Sequence, residues 1–447
     1  MHKLQDIIKS LNDESTKSKV IRNVFWATTG KVVTLLSTLF VGILVARYLG
    51  PEQYGLMNYV ISIVALFGVF STFGTTEIVI RELSKKELSV EMILGTAFFL
   101  RAGLALITVS AIAIYLFFSG EKIETSIMIL IYSSSLFFSC FDVIRHYFTS
   151  IIQNEYIVKS EIFRTLVGAG FKIFLLLIKA PLFTFVIALS VDFLLLAGGY
   201  IVVYKKYVGN LFNWSFDKKF AVFLFKTSFP LMISSAAVII YQRIDQVMIN
   251  KMLDNESLGY FSSATSFIGI VTFIPAIMVQ TIAPILVRYK KDTPNRYQFE
   301  SQRMMNVATW ATIIVSIVMS GLSYYIIRYT YGIEYLAAVP VMQILSFKAV
   351  GVALTVTGGQ LIIIENIHQL SFIRNILACF VCIACNYYFI PLWGIIGSAW
   401  ATIVTVMFTG GIANIFIPQY HHILKKQCIA LFLGWKDLLN FRLLFVR

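Results

Sequence analysis

The sequence A-R-Y-L-G-P-E-Q-Y-G at residues 46–55 ends one long apolar segment and leads directly into a second. A similar frame, K-M-L-D-N-E-S-L-G, occupies residues 251–259 and again separates two apolar segments. A shift of 204 positions pairs Arg47 with Lys251, Leu49 with Leu253, Glu52 with Glu256 and Gly55 with Gly259. The pattern predicts a duplicated module, in which each stretch joins the first two helices of its own half.

The overall composition indicates a membrane protein. Of the 447 residues, 58% are hydrophobic and only 13% are charged, and the mean hydropathy is +0.79. A soluble domain of average composition carries about 25% charged residues. Apolar runs longer than about 18 residues recur along the chain, as in membrane-spanning helices. The formal net charge of +14 fits basic cytoplasmic loops, so no nucleic-acid partner is expected.

The apolar runs predict twelve transmembrane helices in two sets of six. The first set is 20–49, 56–80, 90–118, 126–151, 157–179 and 181–204, and the second is 228–252, 258–287, 304–330, 336–364, 371–390 and 392–417. No connection between these spans is long enough to fold as a soluble domain. The predicted fold class is therefore an all-α polytopic membrane protein, with its function inside the helical bundle.

The twelve spans divide the chain into five regions. These are a cytoplasmic N-terminal segment (1–22), an N-lobe (23–204), a cytoplasmic linker (205–227), a C-lobe (228–417) and a basic tail (418–447). Because each lobe has an even number of spans, both enter the membrane in the same direction. This predicts two parallel six-helix lobes around a central cavity. The basic tail is expected to form an amphipathic helix on the cytoplasmic membrane surface.

Five cations lie deep within the predicted spans, where exposure to lipid would cost roughly 2.5 to 3.5 kcal/mol each. They are Lys31, Arg101, Lys172, Arg243 and Lys348. Their positions on five different helices predict a shared, solvated interior that binds an anionic substrate. Arg101 and Lys172 have no deep carboxylate close in sequence, so we expect them to contribute most.

Acidic residues within the spans allow a second interpretation. Asp192 and Asp245 lie near mid-span, whereas Glu77 and Asp142 lie nearer the cytoplasmic side. These four are candidates for coupling transport to a proton or sodium ion. Each is also a candidate partner in a buried ion pair with one of the deep cations. The two mid-span acids are outnumbered by the five cations, which favours an anionic ligand over complete pairing.

The cysteines do not predict a metal site. Cys379, Cys382 and Cys385 have the spacing C-x2-C-x2-C, but on a helix these positions spread over about 9 Å of rise. A ferredoxin-type run would place a fourth cysteine at position 389, which is Phe389. The two adjacent histidines of the tail point apart on a helix. Neither a metal nor a cofactor is expected.

Three stretches resemble the polysaccharide transport family, which includes the Wzx-type O-antigen and repeat-unit flippases of the multidrug/oligosaccharidyl-lipid/polysaccharide exporter superfamily. They are the run at 46–55, the segments R-I-D-Q-V-M at 243–248 and L-G-Y-F-S-S-A at 258–264, and N-Y-Y-F-I-P-L-W-G-I-I-G-S-A-W-A-T at 386–402. The resemblance extends over nearly the whole chain. It implies a twelve-helix carrier of the inner (cytoplasmic) membrane that moves undecaprenyl-pyrophosphate-linked oligosaccharide to the outer leaflet by alternating access.

The resemblance also implies partners, namely the lipid bilayer, the lipid-linked oligosaccharide, and polymerase and chain-length proteins of the same pathway. Two other functions stay open. A cation-coupled drug exporter of the same superfamily would favour acidic residues in its cavity, whereas the deep charges here are mainly basic. A polymerase or ligase acting on polyprenyl-linked sugars would need large outer loops, whereas the predicted outer connections are short. The sequence therefore favours a flippase that is not an enzyme.

The distribution of Lys and Arg makes a testable prediction about topology. With the N-terminus inside, cytoplasmic segments contain 27 of these residues and the outer ends of spans contain five. The positive-inside rule then places both termini in the cytoplasm. Reporter fusions within 205–226 and after Pro418 should both give a cytoplasmic signal. A periplasmic signal at either position would contradict the twelve-span arrangement.

Overall fold

A computed structural model of the protein describes residues 14–367 and 370–439, and within them it contains α-helices, short 3-10 turns and no strands. The first helices are α1 (Glu14–Thr72), α2 (Thr76–Lys85), α3 (Val90–Ser119), α4 (Ile123–Ser133), α5 (Ser135–Phe138), α6 (Asp142–Ser150), α7 (Asn154–Leu177) and α8 (Leu182–Tyr207). They are followed by α9 (Lys218–Met252), α10 (Asn255–Asp292), α11 (Pro294–Thr330), α12 (Val339–Leu345), α13 (Lys348–Ile364), α14 (Ser371–Gly410), α15 (His421–Leu433) and α16 (Trp435–Leu439). The predicted all-α class is confirmed.

Nine helical segments of the described chain are long and apolar enough to cross a membrane. The longest helices, α1 and α14, contain 59 and 40 residues and are interrupted at Gly50 (φ 72°) and Gly394 (φ 57°). These positive φ angles favour glycine and end a run of α-helix. A continuous helix of 59 residues would extend about 89 Å, against about 30 Å of hydrocarbon core. Each of these two helices therefore contains two of the predicted spans.

Helix α7 corresponds to the predicted fifth span, although it is not among the nine apolar segments. Five charged residues within its 24 positions lower its hydropathy: Glu155, Lys159, Glu161, Arg164 and Lys172. The nine apolar segments and α7 make ten. Because α1 and α14 are each interrupted and count as two spans, the described helices provide the twelve predicted passes. The predicted N-terminal segment 1–22 lies mostly outside the described residues, as do Arg442 and Arg447 of the tail.

The described residues divide into two compact units, which we call unit 1 and unit 2. Unit 1 contains the described residues up to Val45 together with Ile63–Ser235. Its core is formed by α2, α3, α6 and α8, and includes the fully buried side chains of Ile93, Leu94, Val143, Ile144 and Tyr200. Unit 2 contains Ala46–Ser62 together with the described residues from Ala236 onward.

Within unit 2, the two copies of the duplicated stretch contact each other through their glycines. A Cβ atom added to Gly55 would lie 1.8 Å from the carbonyl oxygen of Asn255, and one added to Gly259 would lie 2.0 Å from that of Pro51. Pro51 and Asn255 are also separated by 204 positions. The contact is therefore reciprocal, and the duplication of the two lobes stays a prediction.

Hydrogen bonds hold the first copy of the stretch in unit 2. The Tyr335 hydroxyl donates to the carbonyl oxygen of Ala46 at 2.7 Å, and the Ser62 hydroxyl donates to Oε1 of Gln246 at 2.6 Å. Both of these bonds are buried. Each hydrogen bond satisfies a polar group that is buried away from water. The two bonds hold the chain at Ala46 and Ser62, on either side of Gly55, and so favour the close glycine contact.

The C-terminal helix α15 packs against α11. Trp310 Nε1 donates to the carbonyl oxygen of Ala430 at 2.9 Å, and Gln427 Nε2 donates to that of Leu354 at 3.2 Å. Lys426 is buried and contacts the Ser301 hydroxyl, and burial lowers the pKa of its ammonium group. One face of α15 is thus docked through polar contacts, whereas Lys425 and Phe432 on its other face are exposed, and an amphipathic helix at the cytoplasmic membrane surface stays a prediction.

The glycine contact predicts a strong sensitivity to a single methyl group. Replacing Gly55 or Gly259 with Ala places Cβ about 1 Å inside a normal contact distance, so the backbones must separate. We expect each variant to lose about 1 to 3 kcal/mol of stability. Thermal unfolding of the purified protein in detergent would measure the loss.

Gly269 provides a matched control on the same helix, α10, since no atom lies within 4 Å of its added Cβ. Gly269→Ala should be neutral or stabilising by up to about 1 kcal/mol, because Ala is the better helix former. Equal unfolding temperatures for Gly55→Ala and Gly269→Ala would contradict the close contact.

Candidate functional site

The five predicted cations occupy different environments. Lys31, Arg101 and Lys172 lie in unit 1, whereas Arg243 and Lys348 lie in unit 2. Arg101 is buried, Lys31 is exposed, and the other three are partly buried. Two of the five have partners that explain their position, as described next.

Arg101 is held by hydroxyl groups at the junction between α1 and α2. Its Nε donates to Thr75 Oγ1 at 2.8 Å and its Nη2 donates to Thr76 Oγ1 at 3.0 Å, and its side chain is only 2% exposed. The carboxylate of Asp142 on α6 also interacts with it electrostatically. Arg101 therefore fixes the start of α2, and Asp142 is the acidic group that interacts with its charge.

Lys172 on α7 forms an ion pair with Asp192 on α8. Asp192 fits there because residue 168 is glycine, since a Cβ atom added to Gly168 would lie 2.0 Å from Asp192 Oδ1. Both side chains are shielded, with 17% and 11% of their surfaces exposed. We expected Lys172 to have a free charge, but the residue has a partner 20 positions away on the next helix.

A second polar network of unit 1 was not predicted. Glu161 accepts a hydrogen bond from the Tyr200 hydroxyl at 3.0 Å and pairs with Arg145 at 3.3 Å. His146 Nδ1 and Arg164 Nε are buried without a hydrogen-bond partner within residues 14–367 and 370–439. The sequence gives little indication of this network, because Arg145 and Arg164 fall in a predicted cytoplasmic loop.

Among the candidate acids for ion coupling, Glu77 is exposed on α2.

Asp245 is the centre of a charged cluster in unit 2. Its side chain is 3% exposed and accepts hydrogen bonds from the Gln246 amide at 2.7 Å and from the Thr402 hydroxyl at 3.4 Å. Lys348 is its strongest electrostatic partner and Arg243 is a weaker one. Two cationic residues thus lie near one buried carboxylate, so by formal charge the basic residues of this cluster outnumber the acidic one.

Neutral polar groups also link α14 to α9, the helix that contains Asp245. The Ser398 hydroxyl donates to Asn386 Oδ1 at 2.7 Å, Asn386 Nδ2 donates to the carbonyl oxygen of Cys382 at 2.9 Å, and the Cys382 thiol donates to that of Tyr241 at 3.6 Å. Cys382 therefore serves as a buried helix residue. In the part of the chain that the structure describes, no group of three His, Cys, Asp or Glu residues is arranged to hold a metal ion.

Arg374 is a further buried cation that the sequence did not identify. It belongs to the first turn of α14, is 6% exposed, and has two guanidinium nitrogens without a hydrogen-bond partner among the described residues. We predicted it as a loop residue because it lies at the end of a span. Its apolar neighbours, in the sequence S-F-I-R-N-I-L, were the only signal of its burial.

A family model described as "Polysaccharide biosynthesis protein" matches residues 20–290, more than half of the chain. No curated protein matches the sequence. Solved structures of similar fold include one described as "Lipid II flippase MurJ, inward closed conformation", with a TM-score of 0.66, 17% identity and 93% of both chains covered. Another is an inward-facing multidrug resistance MATE family transporter of the MOP superfamily, with a TM-score of 0.65, 15% identity, and 88% of this chain and 96% of that chain covered.

The Lys172–Asp192 pair predicts non-additive effects on stability. Lys172→Gln leaves a buried carboxylate without its partner, which typically costs about 3 to 5 kcal/mol. The double variant Lys172→Gln, Asp192→Asn removes both charges and should recover most of that loss. Thermal unfolding of both single variants and the double variant would give the coupling energy. A stable Lys172→Gln protein would instead indicate that Lys172 is available to bind substrate.

Proposed function

Because the chain belongs to the polysaccharide biosynthesis protein family, we propose that it is a flippase for undecaprenyl-pyrophosphate-linked oligosaccharide. The chain is a multi-pass membrane transporter of the fold shared with flippases and multidrug exporters. The proposed reaction moves the sugar head group from the inner to the outer leaflet of the cytoplasmic membrane by alternating access. No bond is made or broken, so the protein is proposed to be a carrier and not an enzyme.

The observation that carries the proposal is the excess of basic residues in the Asp245 cluster. Lys348 and Arg243 outnumber the single carboxylate, and the cluster lies in the membrane-embedded part of unit 2. An excess charge in such a medium is costly unless a counter-charge or water compensates it. A diphosphate carries the opposite charge and many hydrogen-bond acceptors. It is therefore the proposed ligand of Lys348 and Arg243.

The five cations receive different proposed roles. Arg243 and Lys348 are proposed as the primary diphosphate-binding residues, and Lys31, which is exposed on α1, stays a predicted contact for acidic groups of a substrate. Arg101 and Lys172 contribute less to binding, because Thr75, Thr76 and Asp192 engage them. For ion coupling, Asp245 and Asp142 stay candidates, whereas Asp192 is paired and Glu77 is exposed.

The membrane potential is a sufficient proposed source of energy. Two negative charges that move outward across an inside-negative potential of about 100 mV gain about 4.6 kcal/mol, since each contributes about 2.3 kcal/mol. Both termini are proposed to be cytoplasmic, because the basic residues are concentrated on one side. Polymerase and chain-length proteins of the same pathway are proposed partners that would use the exported units.

The test is a flipping assay in proteoliposomes that contain a fluorescent polyprenyl-diphosphate oligosaccharide. Lys348→Gln should slow flipping about tenfold or more, because a hydrogen bond to a charged group contributes about 1.5 to 3 kcal/mol. Lys348→Arg keeps the charge and should retain more activity. Lys122→Gln is the matched control, since Lys122 is exposed at the end of a span. Native flipping rates in Lys348→Gln and Arg243→Gln would refute the proposed binding site.

Asp245→Asn separates the flippase from the cation-coupled drug exporter. Removing this carboxylate makes the cluster more positive, so binding of a lipid diphosphate should be retained or become tighter. Binding of a lipophilic cation such as tetraphenylphosphonium, by contrast, would weaken. Binding of tetraphenylphosphonium that is lost in Asp245→Asn, with no diphosphate binding by either the native or the variant protein, would favour the exporter and contradict the flippase.

A further inference from the structure

The guanidinium group of Arg374 is buried and incompletely satisfied. Its side chain is 6% exposed, and Nε and Nη1 have no hydrogen-bond partner within residues 14–367 and 370–439. Arginine stays protonated in proteins and offers five N–H donors. A buried charge that lacks a partner is strongly destabilising, so a site that keeps one commonly has another use for it.

Among the residues that the structure describes, no acidic group interacts electrostatically with Arg374. The groups that interact with it electrostatically are the phenols of Tyr241 and Tyr420, which are neutral. The Tyr420 hydroxyl is also committed, since it donates to the carbonyl oxygen of Ile367 at 2.9 Å. Arg374 lies in the first turn of the 40-residue helix α14, where the helix dipole is positive. Both charges therefore favour an anion at this position.

Because residue 359 is glycine, there is room for at least one methyl group beside the guanidinium group. Apart from the neighbouring residues and backbone of α13 itself, Arg374 Nη2, at 3.9 Å, is the one described atom within 4 Å of a Cβ added to Gly359. The preceding Gly358 differs, because its added Cβ would lie 2.6 Å from Gln427 Nε2. One glycine of the pair thus allows α15 to pack closely, whereas the other leaves room next to Arg374.

We propose that Arg374 and the space at Gly359 form a second phosphate-binding site, which receives the diphosphate of the lipid-linked substrate before transport. Guanidinium matches phosphate in shape and donor geometry, which supports this ligand class. The site lies at the end of the eleventh predicted span, the cytoplasmic side in the proposed topology. This inference rests on the proposed flippase function.

The experiment measures ligand binding to the full-length protein in nanodiscs of zwitterionic lipid. The probes are inorganic pyrophosphate, farnesyl diphosphate and phosphatidylglycerol added to the disc. Arg374→Gln should weaken binding of both diphosphates about tenfold or more, as expected for the loss of charge-assisted hydrogen bonds. Lys425→Gln is the matched control, because Lys425 is exposed on the nearby helix α15 and the charge change is the same.

A second variant keeps the charge and fills the space. Gly359→Leu should also weaken diphosphate binding, whereas Gly359→Ala should be tolerated, since its Cβ makes an ordinary contact at 3.9 Å. If Arg374→Gln does not fold, the two Gly359 variants decide the question. Unchanged affinity in Gly359→Leu, or in folded Arg374→Gln, would overturn the proposal, as would binding of phosphatidylglycerol with no response to either diphosphate.

The failure of this inference can be told apart from failure of the flippase proposal. If the second site exists, Lys348→Gln should lose flipping and still bind farnesyl diphosphate at Arg374. If Lys348→Gln flips normally while Arg374→Gln loses diphosphate binding, the flippase site is wrong and the anion site stands. If flipping depends on Lys348 but diphosphate affinity is the same in Arg374→Gln, only the second site is wrong.

Discussion

The cost of an isolated charge in a low-dielectric interior explains most of the polar structure of this protein. In unit 1 that cost is offset locally: Lys172 pairs with Asp192, and Arg101 is held by two threonine hydroxyls and faces Asp142. In unit 2 it is offset only in part, since Lys348 and Arg243 lie near the single carboxylate of Asp245. The same physical rule therefore separates charges that hold helices together from charges that have capacity left for a ligand.

Glycine determines where these charges fit. Gly168 makes room for the carboxylate of Asp192, and the Gly55–Gly259 contact brings two helix ends closer than any side chain would allow. Helix association in a membrane depends on packing and polar contacts, because lipid removes the hydrophobic driving force between helices. Small residues thus set the distances at which the buried charges meet, and Gly359 shows the converse by leaving space beside Arg374.

The sequence predicted the helical class, the twelve spans and the duplicated stretch, because hydropathy and spacing are local properties. It did not predict which charges pair, since Lys172 and Asp192 are 20 positions apart and meet only when two helices pack. It also did not predict that Arg374 is buried or that one face of the tail helix is docked, because position near a span end says nothing about neighbouring helices. The repeat pairs Gly55 with Gly259 in the sequence. It does not predict that the two helices approach so closely at these glycines.

A carrier has to release its ligand as well as bind it, and Asp245 is relevant to both steps. Two uncompensated cations in a membrane interior would hold a diphosphate very tightly, since attraction between charges strengthens as the dielectric constant falls. The carboxylate of Asp245 competes for the same cations and has its own hydrogen bonds from Gln246 and Thr402, so it stays in place when the ligand is absent. Conduction through a membrane site requires affinity that is high enough for entry and low enough for exit. In the proposed binding site, a carboxylate beside Lys348 and Arg243 would supply that balance, which gives a physical reason for a buried acid in a site proposed for anions.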